Sequence, residues 1–155
     1  MDGTAGIFAR RSDALGRAVE VGMAGGRVVS VDFPETVPED AEANGEADPP
    51  VLDRLFEYLD GAEDQFTDIE VALTVPTDHR DVLTATRNVP YGETVDADRI
   101  ARIAGLDDDD VDDLSTVRDA LADNPVPIFV PDHRVSGVSG ATPAAVERRL
   151  RALER

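Results

Sequence analysis

The chain of 155 residues contains no cysteine, which excludes disulfides, thiolate metal ligands and any cysteine nucleophile. Lysine is absent too: all 15 basic residues are arginine, against 33 acidic ones, for a formal charge of −18. No run approaches the roughly 20 apolar residues that cross a membrane, and the first residues lack the basic-then-apolar order of a signal peptide. The expectation is a cytoplasmic protein with no membrane partner. An acid excess without lysine suits a surface that must stay hydrated in concentrated salt, where the screening length falls to about 3 Å at 1 M and self-repulsion is damped. A halophilic, haloarchaeal source is therefore expected. Hydrophobic residues make up 41% of the chain, enough for a core of ordinary size.

Residues 5–10, 17–23 and 27–33 have strand patterning, and Gly25 and Gly26 supply a turn between the last two, predicting a small antiparallel sheet. Residues 34–50 hold almost no large apolar side chain and read as a solvated acidic loop. Val51, Leu52, Leu55, Phe56 and Leu59 recur at helical spacing, predicting a short helix that packs on the sheet and stops at Gly61. Residues 69–75 predict a further strand, and Thr77 or Asp78 a cap for a helix to about Arg87, buried through Val82 and Leu83.

From Asn88 onward the pattern is short helices joined by turns. Asp96 can cap a helix over 97–104 closed by Gly105, and Asp110 or Asp113 can cap one reaching about Ala122. Two short helices in succession predict a helix-turn-helix. Asp107 to Asp110 lack the alternating ligand spacing and turn glycine of a calcium loop, so no metal site is expected. The prolines of 125–131 predict an extended segment leading into Asp132-His133-Arg134-Val135. Thr142 is expected to cap a last helix with Pro143 in its first position, Val146 and Leu150 facing the core. The expected architecture is α+β, with a sheet domain over 1–75 and a helical domain over 76–155.

Three motifs in the second half carry a resemblance. Val89-Pro90-Tyr91-Gly92-Glu93-Thr94, Asn124-Pro125-Val126-Pro127 and Pro131-Asp132-His133-Arg134-Val135 stand in the order and spacing of the O6-alkylguanine-DNA alkyltransferase family, whose last motif reads Pro-Cys-His-Arg-Val. The resemblance covers about residues 76–155. It implies a ribonuclease-H-like sheet domain followed by a winged-helix-like domain that binds the DNA minor groove through a helix-turn-helix. It also implies that an alkylated guanine is flipped into a pocket formed here by Asn124, Pro131, Asp132, His133, Arg134 and Val135. His133 and Glu154 fall at the family's relay positions, which activate a thiol for attack on the alkyl carbon. Asn124 and Arg134 match residues that brace the site. No cofactor is implied.

The same register exposes departures. Asp132 replaces the cysteine, and a carboxylate is a harder, weaker nucleophile toward an alkyl carbon than a polarisable thiolate. The arginine that fills the gap left by the flipped base falls on Ser115, and the tyrosine that assists rotation of the phosphate falls on Ala97. The loop that closes over the base is shortened to Ala141-Thr142-Pro143. The helix expected in the groove would present Ser115, Thr116 and Arg118 to DNA. From Asn88 to Arg134 twelve acids oppose four arginines, a net of −8, which repels phosphate. The basic stripe of the last helix is Arg148, Arg149, Arg151 and Arg155.

Three functions follow. The first is a non-catalytic alkyltransferase-like protein that recognises O6-alkylguanine in double-stranded DNA without transfer and passes the lesion to a repair protein. The second is a diverged paralogue that keeps the fold and binds a protein partner or small ligand instead of DNA. The third, a hydrolase using Asp132 and His133, is disfavoured because neighbours on an extended backbone point apart.

Overall fold

The computed structural model describes residues 6–37 and 49–154. Ala5, most of the expected acidic loop (38–48) and Arg155 lie outside the described residues. Strands β1 (Gly6–Ser12), β2 (Arg17–Ala24) and β3 (Arg27–Asp32) pair antiparallel in that order. Phe8, Val19, Val21, Val28 and Val31 are buried. Gly25 and Gly26 both take positive φ, 58° and 79°, as the two-residue hairpin turn requires.

Helix α1 (Pro50–Leu59) opens with proline in its first turn and buries Val51, Leu52, Leu55, Tyr58 and Leu59. The strand expected over 69–75 does not form. Only Val71 bridges in parallel to Val28, with Val28 N–H donating to Glu70 O at 3.0 Å and Ala72 N–H to Val28 O at 2.9 Å. The alternating pattern is present, but Arg87 draws the preceding chain into a loop by donating Nη2 to the carbonyls of Phe66 (2.7 Å) and Ile69.

Helix α2 (Thr77–Arg87) starts from Pro76 with no side-chain cap. Thr77 is its first residue rather than its cap, because the fixed φ of Pro76 already sets the boundary. In α3 (Ala97–Ile103) the Asp96 carboxylate accepts from Arg99 N–H, and in α4 (Val111–Ala122) Asp110 accepts from Asp112 and Asp113 N–H. These three helices pack on one another. Short strands β4 (Val95–Asp96) and β5 (Val135–Ser136) pair in parallel.

Residues 125–131 are a tight turn, not the extended segment expected. Val130 N–H returns to Val126 O at 2.9 Å, and Ile128 takes a φ of 77°. The Asn124 side chain closes the turn from inside, its Oδ1 accepting from Val126 N–H (3.0 Å) and its Nδ2 donating to Val130 O (2.9 Å). Holding a β-branched residue at positive φ costs on the order of 1–3 kcal/mol. Helix α5 (Ala144–Leu153) begins after Pro143 and buries Val146 and Leu150. Thr142 does not cap it; that residue turns inward, and its N–H is used elsewhere.

One apolar cluster runs from Phe8 to Leu150 through both parts of the chain. Val31 N–H donates to Pro125 O at 2.9 Å, joining the sheet to the helical part. Edge-to-face rings line the seam, Tyr58 on Phe66 at 5.5 Å and Phe66 on Phe129 at 5.0 Å. Each such pair adds about 0.5–1.5 kcal/mol beyond its buried area. Among the described residues no helix is long and apolar enough to cross a membrane.

Candidate functional site

Asp132, His133 and Arg134 form a single 3-10 turn and are all buried. The turned backbone, rather than an extended one, sends neighbouring side chains to different partners. Asp132 Oδ2 accepts from Asn124 Nδ2 at 3.0 Å, Ala141 N–H at 3.1 Å and Thr142 N–H at 3.4 Å. Gly140 presses against the same carboxyl group, leaving no room for a β-carbon. Burial pushes the Asp132 carboxyl above the usual carboxylate range, and hydrogen bonding by Thr142 and Asn124 with the nearby His133 offsets that only in part. Three N–H donors on Oδ2 fix the orientation of the carboxyl group, and its oxygens are harder nucleophiles toward an alkyl carbon than a thiolate sulfur.

His133 and Arg134 meet at Glu154, just past the end of α5. Glu154 accepts from His133 Nε2 at 2.8 Å and from Arg134 Nε at 2.9 Å and Nη2 at 2.8 Å. It also accepts from the Tyr58 hydroxyl and, at 3.3 Å, from Gly92 N–H. Burial pushes its carboxyl up, but the hydrogen bonds from His133 and Arg134 outweigh burial and hold it well below the usual glutamate range. An ionised carboxylate only accepts, so His133 Nε2 carries the proton that it donates. Burial first, and then the Glu154 charge, push the Tyr58 hydroxyl far up, so it stays a donor.

Arg134 Nη1 continues to Val89 O at 2.8 Å and Gln65 Oε1 at 3.0 Å, and its guanidinium lies 5.6 Å from the Tyr91 ring centre. The network therefore ties α1, the loop before β4, the 132–134 turn and the end of α5 together. His133 Nδ1 is buried and has no partner among the described residues.

The residues expected to form a base pocket lie together, packed into the interior rather than facing an opening. Asn124, Pro131, Asp132, His133, Arg134 and Val135 are contiguous and buried, with Glu154 beside them. Sequence reasoning missed Tyr58, Gln65 and Gly140, and took Gly92 only as part of a motif. Tyr58 sits at a helical core spacing that marks burial without marking its hydroxyl. Gly92 carries a positive φ of 81° within the Pro90-Tyr91-Gly92 turn, the one signal that was available.

The residues expected to face DNA lie along α4. Ser115 and Arg118 are exposed, while the Thr116 hydroxyl donates to Asp112 O at 3.1 Å. The Asp107, Asp108 and Asp109 carboxylates converge within 4.8 Å. They have local uses: Asp107 accepts from Asp109 N–H, and Asp108 pairs with Arg102 at 2.5 Å. Much of the basic stripe is spent internally. Arg151 donates to His133 O and Val135 O, and Arg149 to Ala14 O.

Residues 78–155 match the family model for the DNA-binding domain of 6-O-methylguanine DNA methyltransferase. A variant of the O6-methylguanine methyltransferase of Mycobacterium tuberculosis is similar with a TM-score of 0.76 and 25% identity, over 97% of this chain and 93% of that one. The same enzyme in complex with DNA gives a TM-score of 0.72 at 25% identity, over 96% and 91% of the two chains. The O6-methylguanine-DNA methyltransferase of the hyperthermophilic archaeon Pyrococcus kodakaraensis shares the fold, with a TM-score of 0.64 and 19% identity over 96% of this chain and 98% of that one. No curated protein matches the sequence. With a model of the family spanning half of its length and a likeness in fold from end to end, the chain belongs to the 6-O-methylguanine DNA methyltransferase family.

Proposed function

We propose that this chain is a DNA-binding protein of DNA repair that transfers no methyl group, and that it recognises O6-alkylguanine through the retained frame of Asn124, His133, Arg134 and Glu154. The observation that carries the reading is Asp132. It stands between Pro131 and His133 in a chain without cysteine, and its Oδ2 is engaged by three N–H donors. Its oxygen lacks the soft, polarisable lone pair that favours displacement at an alkyl carbon. His133 and Glu154 then hold the turn in shape and relay no proton to a nucleophile. A repair protein that takes over the bound lesion belongs to the same reading.

DNA enters this reading through the family, whose matching model is a DNA-binding domain, and through a similar structure solved with DNA. The test is a titration of the protein into short duplexes with and without O6-methylguanine, followed by anisotropy across potassium chloride concentration. The proposal expects binding that weakens with salt and is tighter for the lesion. Absence of binding at every salt concentration overturns it. A second reading, a paralogue that binds a protein partner or small ligand, is favoured by the net charge of −8 from Asn88 to Arg134, and that same negative result would leave it standing.

A further inference from the structure

An aspartate at a turn commonly takes one or two amides of its own segment. Asp132 takes donors from two separate segments on a single oxygen. Asn124 follows α4, and Ala141 and Thr142 precede α5, yet Asn124 Nδ2, Ala141 N–H and Thr142 N–H reach Oδ2 at 3.0, 3.1 and 3.4 Å. The carboxylate is 2% exposed. Gly140 is packed so tightly on it that a β-carbon would lie 2.7 Å from Asp132 Cβ and 2.9 Å from Oδ1. Asn124 is itself fixed, its Oδ1 taken by Val126 N–H and its Nδ2 shared with Val130 O. Convergent, pre-oriented N–H donors around one buried oxygen make a cradle for an oxygen acceptor.

We propose that this cradle is a ligand site occupied by the protein's own Asp132, which keeps the loop over residues 137–142 shut, and that a small carboxylate takes its place when the side chain is removed. The occupant is tethered, so its effective concentration at the donors far exceeds that of a free anion. The intact chain therefore excludes free carboxylates. The group removed is a carboxymethyl group packed against Gly140 and Asn124, the size of acetate. The inference goes beyond the proposed function, which requires this loop to open for a flipped base; the place of Asp132 and its donors is observed and does not depend on that reading.

The experiment uses Asp132→Gly, with potassium formate against potassium chloride at equal ionic strength and no DNA present. In the variant, formate should raise the melting temperature saturably and shift the backbone amide resonances of Ala141 and Thr142. In the parent protein it should do neither. Asn124→Ala added to Asp132→Gly should abolish the response. Equal responses in parent and variant, or no amide shift in a folded variant, overturn the proposal.

If Asp132→Gly is unfolded in chloride, recovery of the fold by formate supports the proposal. Without that recovery Asp132→Ala, which keeps the β-carbon and removes the carboxyl group, is put through the same formate titration: a saturable rise in melting temperature supports the proposal, and its absence overturns it. Failure here leaves the DNA-binding reading intact, and a failed duplex titration leaves this one intact.

Discussion

The Asp132 carboxyl carbon lies over Gly140 so closely that a β-carbon on Gly140 would come within 2.6 Å of it. Asp132 cannot yield, because its Oδ2 is held from two segments at once. Gly140→Ala should therefore lower stability by about 1–3 kcal/mol, the usual cost of overpacking a filled site. In the Asp132→Gly background the same change should cost less than half as much. Urea denaturation of the four proteins in a double-mutant cycle reads the coupling, and additive effects would contradict the contact.

Glu154 is the common acceptor for His133, Arg134 and Tyr58. Glu154→Gln leaves the Arg134 guanidinium, 3% exposed, without its countercharge. Loss of one partner of a buried ion pair costs about 3–5 kcal/mol, and that is the expected fall in unfolding free energy. Tyr58→Phe removes one hydrogen bond to a charged acceptor and should cost about 2 kcal/mol. Equal losses for the two variants would mean that Arg134 is not held by Glu154.

Asp132 and Glu154 should respond to pH with opposite signs. The folded Asp132 carboxyl is held above its ordinary range by burial, so the folded state binds its proton more readily than the unfolded state does. Its contribution is full below the ordinary aspartate value and is lost as pH rises through the raised one. Glu154 is held low by His133 and Arg134 against its burial. Its contribution is present above the ordinary glutamate value and is lost as pH falls through the lowered one. Stability curves against pH for the parent and Asp132→Asn should draw apart in the parent's favour as pH falls from neutrality. A constant gap would show that Asp132 titrates alike in both states.

Charge sets a further expectation. With −18 on 155 residues, self-repulsion opposes folding at low ionic strength, and the screening length shrinks from about 10 Å at 0.1 M to about 3 Å at 1 M. The urea midpoint should rise steadily with potassium chloride over that range. A falling midpoint would argue against the halophilic reading of the composition.

Local sequence rules found the elements whose boundaries are set by a single residue. Gly25 and Gly26 gave the hairpin, and Asp96 and Asp110 gave the starts of α3 and α4. The rules failed where a distant side chain decides. Residues 69–75 alternate like a strand, but Arg87 holds the carbonyls of Phe66 and Ile69 at their start. The prolines of 125–131 read as extended, but Asn124 folds the intervening Ile128 and Phe129 into a turn. At the site, Asn124, His133, Arg134 and Glu154 were legible through motif resemblance. Tyr58 and Gln65 were not, because each reaches the site across a long stretch of chain: 96 residues separate Tyr58 from Glu154 and 69 separate Gln65 from Arg134.

In the proposed function Asp132 accepts no alkyl group. Incubating the protein with a duplex carrying O6-methylguanine, then measuring the intact protein mass and the base content of the DNA, tests it most directly. The expected result is a protein of unchanged mass and a lesion still in place. A protein one methyl group heavier, or a duplex whose guanine has been restored, would contradict it.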